Sequence, residues 1–354
     1  MKISKLFRDT NFNNSMLLGF YGGGNFGDEL LLEVLLNKLY LENCKNVKVF
    51  NLNYIDFHKY HTSFKNTEII NLKSSKWKFL WASLLSRNIV VGGGGLWGLD
   101  FNFNVLVFSL YLFVMRFLFF KKVFLIGVGF YNSTTRMGRV MGWFSAKAAN
   151  IIIARDAETF TNFSRISKNK VFLDRDIVFY LNEFVGENIG MEREVEEIRE
   201  NFLENDDSML NVLMVSRRFK KGKGDGYGDV IRSYVKNNRN VKITLAIMEP
   251  RQIDAHGYEG MKEIGDKFNA RYFDFDFNPL AFYFFLKKYG NNLIIIAPQY
   301  HVQLVAYLAG VAFMPISYDN KCDELFKMLK IEKFYNVNKL KVGDIVDFVN
   351  SKKM

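Results

Sequence analysis

The sequence predicts an α/β protein made of two doubly wound, Rossmann-like parallel-sheet domains, and three observations carry that expectation. Short β-rich apolar runs alternate with helical stretches along the chain, as parallel strands joined by crossover helices do. The runs are continuously apolar rather than alternating, so both faces of each sheet are expected to be covered. The 354 residues exceed what one hydrophobic core usually holds, and two domains of roughly 150 to 200 residues are the natural division.

In the first half, strands are expected at 15–20, 47–52, 89–91, 123–126, 151–154 and 171–173, with an amphipathic helix over 30–40. From 183 to 207 the chain is rich in Glu, Arg and Asn and poor in β-branched residues, which reads as a solvated linker helix. The boundary belongs there, giving domains over 1–185 and 186–335. The second half repeats the alternation with strands at 212–215, 242–247, 293–296 and 312–316. Asn278-Pro279 announces one intervening helix as its cap and first residue. A C-terminal tail, 336–354, holds a last helix over 342–352 that is expected to pack back across the domains. Two such domains facing across a cleft describe a glycosyltransferase-B-like architecture. The run 220–226, Lys-Lys-Gly-Lys-Gly-Asp-Gly, reads as a flexible basic loop, either a linker or a phosphate-facing lid.

Composition narrows the function classes. Apolar residues make up 49% of the chain and aromatics 16%, with 36 Phe, which supplies ample packing material and excludes a disordered chain. Against 37 Asp+Glu stand 48 Lys+Arg, a net charge of +11 that favours acidic partners. Phosphorylated substrates, anionic membrane surfaces and nucleic acid all qualify, with excess surface Lys as the bland alternative. No zinc knuckle, aromatic RNA-binding strand or basic zipper helix is legible, so no nucleic-acid partner is expected. The two cysteines, Cys44 and Cys322, are far apart, which excludes a disulfide framework and suits a reducing cytoplasm. No metal site is implied. Residues 1–14 are polar and charged rather than signal-like, so a cytoplasmic location is expected. The stretch 105–120 is nearly all apolar, short for a bilayer span, and carries Arg116. It reads first as a buried helix, either amphipathic or fully enclosed. The other reading is a helix lying on the inner face of the membrane, which Phe and Leu beside Lys121 and Lys122 would suit.

Four stretches place polar or glycine residues at strand ends, where open parallel sheets bind ligands. The first is Gly19-Phe20-Tyr21-Gly22-Gly23-Gly24-Asn25-Phe26-Gly27-Asp28-Glu29. Gly22-x-Gly24-x-x-Gly27 has the letters of a dinucleotide fingerprint, but Asp28 stands where pyrophosphate would approach and would repel it. A carboxylate there caps the helix or accepts hydrogen bonds from sugar hydroxyls. The second is Gly92-Gly93-Gly94-Gly95-Leu96-Trp97. A ligand or a neighbouring loop can lie against that backbone, and Trp97 either stacks on a sugar ring or packs. The third comprises Gly127-Val128-Gly129, Arg155-Asp156 and Asp174-Arg175-Asp176. Arg155-Asp156 reads as a structural ion pair with a helix cap rather than a substrate contact. The fourth is the apolar strand 293–297 leading through Pro298, Gln299 and Tyr300 to His301, in the first turn of a helix. A helix N-terminus attracts anions, and His301 there is a candidate general acid. His58, His61 and His256 have no such context and read as surface or loop residues.

With these residues in hand, the chain resembles the polysaccharide pyruvyl transferases over roughly residues 15 to 331. The resemblance rests on Asn25-x-Gly27-Asp28-Glu29, the glycine run from Gly92, Arg155-Asp156, and the block from His301 with Gly310, Pro315, Tyr318 and Lys321. It implies phosphoenolpyruvate as donor, held mainly by the second domain, and a sugar or lipid-linked oligosaccharide acceptor approached from the first. His301 and Asp28 would then be catalytic. Arg217, Arg218, Gln299, Tyr318 and Lys321 would bind the donor, and Gly24, Asn25, Gly27, Glu29, Gly93, Gly94 and Trp97 the acceptor. No cofactor is required. The chain departs from the family here: members carry an Arg two residues before the His, where this chain has Gln299, and Tyr300 stands where an aliphatic residue is common. Gln offers hydrogen bonds but neither charge nor a guanidinium fork. Either Arg217 or Arg218 carries the anion, or the donor differs. The alternatives are a nucleotide-sugar-dependent glycosyltransferase and a non-catalytic sugar-binding protein of a surface-polysaccharide pathway.

Overall fold

The computed structural model describes residues 1–52, 56, 67–71, 76–97, 102–131, 136–186, 190–203, 210–216, 226–238, 241–248 and 255–352. The chain divides into two compact units, one of Met1–Gly23 with Asp28–Ile189, the other of Gly24–Gly27 with Gly190–Met354.

The first unit runs α1 (Ile3–Asp9), β1 (Ser15–Leu18), α2 (Phe26–Leu41, whose first two residues belong to the second unit), β2 (Lys48–Asn51), β3 (Glu68–Asn71), α3 (Lys76–Leu85), β4 (Asn88–Gly92) and β5 (Gly95–Trp97). It continues with α4 (Phe103–Phe117), β6 (Lys122–Phe130), α5 (Arg136–Ala148), β7 (Ile151–Ala154), α6 (Ala157–Ser167), β8 (Val171–Leu173) and a short α7 (Leu181–Phe184). Its strands form a parallel sheet in the order β3-β2-β1-β4-β6-β7-β8, with β5 paired to β6. Because β1 connects leftward to β2 while β4 lies on its other side, the topological switch falls between β1 and β4, with Leu17 opposite Val90. Helices α3, α4, α5 and α6 bury Ala82, Leu112, Met115, Met141 and Phe163 in one core with Met16, Leu18, Ile89 and Val91.

The second unit runs α8 (Glu192–Phe202), β9 (Asn211–Ser216), α9 (Tyr227–Asn237), β10 (Lys242–Ile247), α10 (Ala255–Phe268), β11 (Arg271–Asp274) and α11 (Pro279–Tyr289). After these come β12 (Leu293–Ala297), α12 (Tyr300–Ala309), β13 (Ala312–Ser317), α13 (Asn320–Met328), β14 (Tyr335–Asn336) and α14 (Val342–Asn350). Its sheet is parallel, in the order β11-β10-β9-β12-β13-β14, so its switch falls between β9 and β12. The expected Asn278 cap is present: its Oδ1 accepts from Leu280 N at 2.9 Å, with Pro279 as the first helical residue. Gly310 ends α12 in the left-handed region at φ 77°, which a side chain rarely adopts.

Several sequence expectations are corrected. The helix expected as amphipathic over 30–40 is α2, and it is buried nearly all round: Leu30, Leu31, Leu32, Val34, Leu35 and Leu36 are each at most 2% exposed. The stretch 183–207 is not a solvated linker, since α8 buries Val195, Ile198 and Phe202 and packs on α11 within the second unit. The last helix, expected to pack back across the domains, packs on the second unit. Its Ile345 and Val349 join the second unit's core with Ile231 and Tyr234 of α9. Helix α4 is only half buried, through Ser109, Leu112 and Met115. Among the described residues no helix is long and apolar enough to cross a membrane, and no group of three His, Cys, Asp or Glu could hold a metal ion. The run 220–226, apart from Gly226, lies outside the described residues, as do His58 and His61.

Candidate functional site

In the first unit the two glycine stretches follow β1 and β4, the strands that flank the switch, which is where open parallel sheets present ligands. What fills the space between them is Tyr21. Its hydroxyl donates to the carbonyl of Gly92 at 2.6 Å. A methyl at Gly19 would lie 2.5 Å from the Tyr21 ring, and one at Gly92 would lie 2.6 Å from its hydroxyl. Those two glycines are there to let a tyrosine lie between the loops. Burial first, then the negative charges of Asp28 and Glu29, hold the Tyr21 phenol well above its ordinary pKa, so it remains a neutral donor. Glu29 is fully buried, and its Oε2 accepts from the backbone N–H of Gly22 at 3.2 Å. Its place is under the loop, positioning it.

The four-glycine run divides by role. Gly93, at φ 71°, packs on Leu31, whose side chain would sit 2.7 Å from an added methyl; Gly95 packs against Tyr131 and Arg155. Only Gly94, at φ 83°, opens onto space, where the nearest atoms to an added methyl are Asp28 Oδ1 and Leu96 Cγ, both at 3.9 Å. Gly94 and Asp28 thus form the open part of this unit's candidate site. Trp97 does not. Its ring is 0% exposed, donates to Ser109 Oγ at 3.2 Å and packs edge-on to Phe163. A ring enclosed in the core cannot stack on a sugar, and the packing reading holds for it.

Asp28 does not cap its helix either. Helix α2 begins at Phe26, and Asn25 Oδ1 accepts from Gly27 N at 3.0 Å. The cap is therefore Asn25, and Asp28 is left in the first turn, where its charge is favoured by the helix dipole. Arg155-Asp156 is the structural pair expected. Arg155 Nη1 meets Asp176 Oδ2 at 3.1 Å, and Asp156 Oδ1 caps α6 by accepting from Thr159 N at 2.7 Å. Tyr131 completes the cluster through hydrogen bonds from the Arg155 guanidinium, and burial pushes its phenol up to about 12 although the arginine pulls it down.

In the second unit the switch strands are β9 and β12. Arg217 and Arg218 directly follow β9 in the sequence and lie outside the described residues. After β12 come Pro298, the N-cap Gln299, and then Tyr300 and His301 opening α12. Gln299 and Tyr300 are buried, at 7% and 4% exposed. His301 is partly buried, and a methyl at Gly27 would lie 1.9 Å from its Nδ1. Gly27 belongs to this unit because Phe26 anchors it, with rings 5.3 Å from Phe275 and 5.5 Å from Phe282 and its N–H donating to Met248 O at 3.1 Å. Two motif residues far apart in sequence, Gly27 and His301, are thus in direct contact, and only glycine leaves room for the imidazole. Gly24, at φ 79°, and Asn25 belong to the same segment.

One residue of this site was invisible to sequence reasoning. Gln303 is fully buried; its Nε2 donates to Pro298 O at 3.2 Å and to Ile316 O at 3.0 Å, and its Oε1 accepts from Ile316 N at 3.0 Å. It ties the turn before His301 to the end of β13. A polar residue on an otherwise apolar helix, four positions after Gln299, was the signal. At the end of β13 the Ser317 hydroxyl donates to Asp323 Oδ1, and just past it Lys321 in the first turn of α13 carries its ammonium 5.1 Å from the Tyr318 ring. His301, Tyr318 and Lys321 therefore all lie at or just past the carboxyl ends of β12 and β13, the edge where open parallel sheets bind ligands.

The fold is similar to that of UDP-GlcNAc 2-epimerase from Methanocaldococcus jannaschii, at TM-score 0.59 and 14% identity over 95% of this chain and 91% of that one. A putative UDP-N-acetylglucosamine 2-epimerase from Listeria monocytogenes gives 0.58 and 13%, over 96% and 88%. ADP-heptose lps heptosyltransferase II of E. coli gives 0.51 and 9%, over 96% and 98%. At such identities the likeness concerns the fold, which is glycosyltransferase-B-like with two parallel-sheet α/β units. No curated protein matches the chain. The family model described as polysaccharide pyruvyl transferase matches residues 25–320, from the Asn25 cap to the start of α13. That span includes Gly27, Asp28, Gly94 and His301, and by it the chain belongs to the polysaccharide pyruvyl transferase family.

Proposed function

We propose that the protein transfers a pyruvyl group from phosphoenolpyruvate to a sugar of a surface polysaccharide or of its lipid-linked precursor, forming a ketal. The observation that carries this reading is the fit of His301 against Gly27. It brings Gly27 of the family's N-terminal motif against His301, which opens α12 after the switch strand β12, and a helix start of that kind favours anions.

In this scheme His301 gives a proton to the methylene carbon of phosphoenolpyruvate, which becomes a methyl, and the adjacent carbon takes on oxocarbenium character. A sugar hydroxyl oxygen adds to that carbon, and its proton is taken up by Asp28 or returned to His301. Phosphate leaves with the electron pair of its C–O bond, and a second hydroxyl oxygen of the same sugar adds to close the ketal. Of the two protons lost by the sugar, one balances the new methyl and the other leaves with phosphate. Lys321 and the arginines Arg217 and Arg218 supply the positive charge that the departing phosphate needs. Tyr318 and Gln299 hydrogen-bond the donor, while Asp28 and the open backbone at Gly94 receive the acceptor. Glu29 and Asn25 position these groups without touching substrate. The reaction proceeds in the cytoplasm and calls on no cofactor.

Gln299 favours a second reading, a glycosyltransferase that uses a nucleotide sugar, because it removes the fixed positive charge expected beside the donor carboxylate. A thermal-shift comparison separates the two, since a ligand that binds the native state raises its melting temperature. Stabilisation by phosphoenolpyruvate, followed by mass-spectrometric detection of a ketal on an acceptor glycan, supports pyruvyl transfer. Stabilisation by a nucleotide sugar alone overturns it. In the productive case His301→Ala should lower turnover by roughly 10²- to 10⁴-fold, the worth of a positioned general acid.

A further inference from the structure

The outer surface of α3, α4 and α5 is apolar where a water-facing surface should be polar. Along α4 the exposed positions are, beside Asn104, the apolar Phe103, Val107, Leu110, Val114 and Phe117, spaced every three or four residues and 38–66% exposed. A surface helix normally presents charged residues on that stripe. Trp77 and Trp81 stand out from α3 at 73% and 61% exposed, and Trp143 from α5 at 42%. The three helices are neighbours: Tyr111 of α4 donates to Ser83 of α3 at 2.8 Å, and Phe113 of α4 stacks 6.4 Å from Trp143. The stripe therefore continues across all three as one patch, of a kind that soluble monomers rarely expose.

The three helices that carry the patch bear charge of one sign. From residue 76 to 154 the sequence carries nine Lys and Arg against a single acid, Asp100, and α3, α4 and α5 contain no acid at all. Exposed Lys76 and Lys78 bracket Trp77, Lys122 stands two residues after Phe120, which is 83% exposed, and Arg136 and Arg139 line the start of α5.

We infer that this face of the first unit docks onto an anionic lipid bilayer, with the aromatic and aliphatic stripe in the headgroup boundary and the lysines and arginines on lipid phosphates. A second copy of the chain is the less suitable occupant, because a two-fold interface sets the patch against itself and would face cations with cations. Helix α4 has 15 residues, about 22 Å at 1.5 Å per residue, short of the roughly 30 Å hydrocarbon core, so it lies in the interface rather than crossing it. The inference concerns binding alone and does not depend on the reaction proposed above.

The test uses the full chain, with vesicles of phosphatidylcholine alone or mixed with phosphatidylglycerol. Three of the four tryptophans, Trp77, Trp81 and Trp143, stand on the patch, and Trp97 is enclosed. Wild-type protein should float with the phosphatidylglycerol vesicles, and its tryptophan emission should shift to the blue. Trp81→Ser/Val114→Ser/Phe117→Ser should weaken partitioning at least about hundredfold, at roughly tenfold per apolar side chain. Lys78→Glu/Arg139→Glu, which leaves the apolar stripe untouched, should weaken it by at least about fivefold per charge and mainly on the anionic vesicles. The charge variant decides the matter if the triple variant melts early. Wild-type protein that neither floats nor shifts overturns the inference, as does a charge variant that floats like wild type. A concentration-dependent dimer in the absence of lipid that the triple variant abolishes also overturns it, in favour of a second copy.

Discussion

Replacing Gly27 by Ala tests the contact on which the candidate site rests. Gly27 sits in the first turn of α2 with an ordinary helical φ, so in the absence of a neighbour alanine should stabilise by about 1 kcal/mol. Here the new methyl would fall 1.9 Å from His301 Nδ1, 2.7 Å from Cγ and 2.9 Å from Cε1. Restoring a normal contact of about 3.5 Å requires the ring or the helix start to retreat by about 1.5 Å. Overpacking of that size costs about 1–3 kcal/mol. If the ring is what yields, the proposed general acid is displaced by more than about 1 Å, which costs on the order of 10²-fold in turnover. Urea unfolding and pyruvyl transfer would be measured for wild type, Gly27→Ala, His301→Ala and the double variant. With the imidazole gone, Gly27→Ala should become neutral or stabilising, and the coupling between the two positions should reach about 1–3 kcal/mol. A Gly27→Ala effect that is the same with and without His301 would refute the contact.

Other expectations follow from the same packing. Gln303→Leu removes three buried hydrogen bonds, strands the N–H and carbonyl of Ile316, and leaves Pro298 O with only the Cys322 thiol at 3.9 Å. It should cost about 2–5 kcal/mol in urea unfolding, and a loss under about 1 kcal/mol would show that β13 repairs itself. Asp176→Asn breaks the buried pair with Arg155 and should cost about 3–5 kcal/mol, whereas an exposed pair would cost almost nothing. Trp97→Ala should destabilise by about 3–5 kcal/mol as a core deletion, with acceptor affinity unchanged in whatever protein remains folded; weakened acceptor binding at full stability would restore the sugar-stacking reading. Lys288 and Tyr289 hydrogen-bond Glu196 and hold its carboxyl below the ordinary value. A depressed folded pKa contributes stability above the unfolded value and loses it as pH falls through the folded one. The small difference in melting temperature between wild type and Glu196→Gln should therefore be present at neutral pH, shrink with salt, and fade as the pH falls below the ordinary carboxylate range.

The fold class was legible because its signals are local. Runs such as Ile151–Ala154 and Leu293–Ala297 are apolar on both faces, and only a parallel strand covered on both sides requires that. The strands that escaped notice, Glu68–Asn71, Arg271–Asp274 and Tyr335–Asn336, lie at sheet edges and are half exposed, so their composition carries no such run. Strand β5 was hidden inside the glycine run it shares with Gly95. Glycines could be located but not sorted. The sequence offers Gly92, Gly93, Gly94 and Gly95 as equals, and only the positions of Tyr21, Leu31, Tyr131 and Arg155 show that three of them serve packing and one opens beside Asp28.

By itself the sequence determined the two-unit parallel α/β architecture, the order of the family's motifs, the placement of His301 at a helix start and the departure at Gln299. The tertiary structure alone decided that Trp97 is core, that Asn25 rather than Asp28 caps α2, that Gln303 binds the His301 turn to β13, and that Gly27 meets His301. It also decided that the solvent stripe of α4 is the apolar one, since periodicity marks every third or fourth residue as sharing a face but not which face the sheet covers. Local pattern fixes which residues lie together along an element. Which element meets which is set by long-range burial, where each contact depends on all the others that fill the same core.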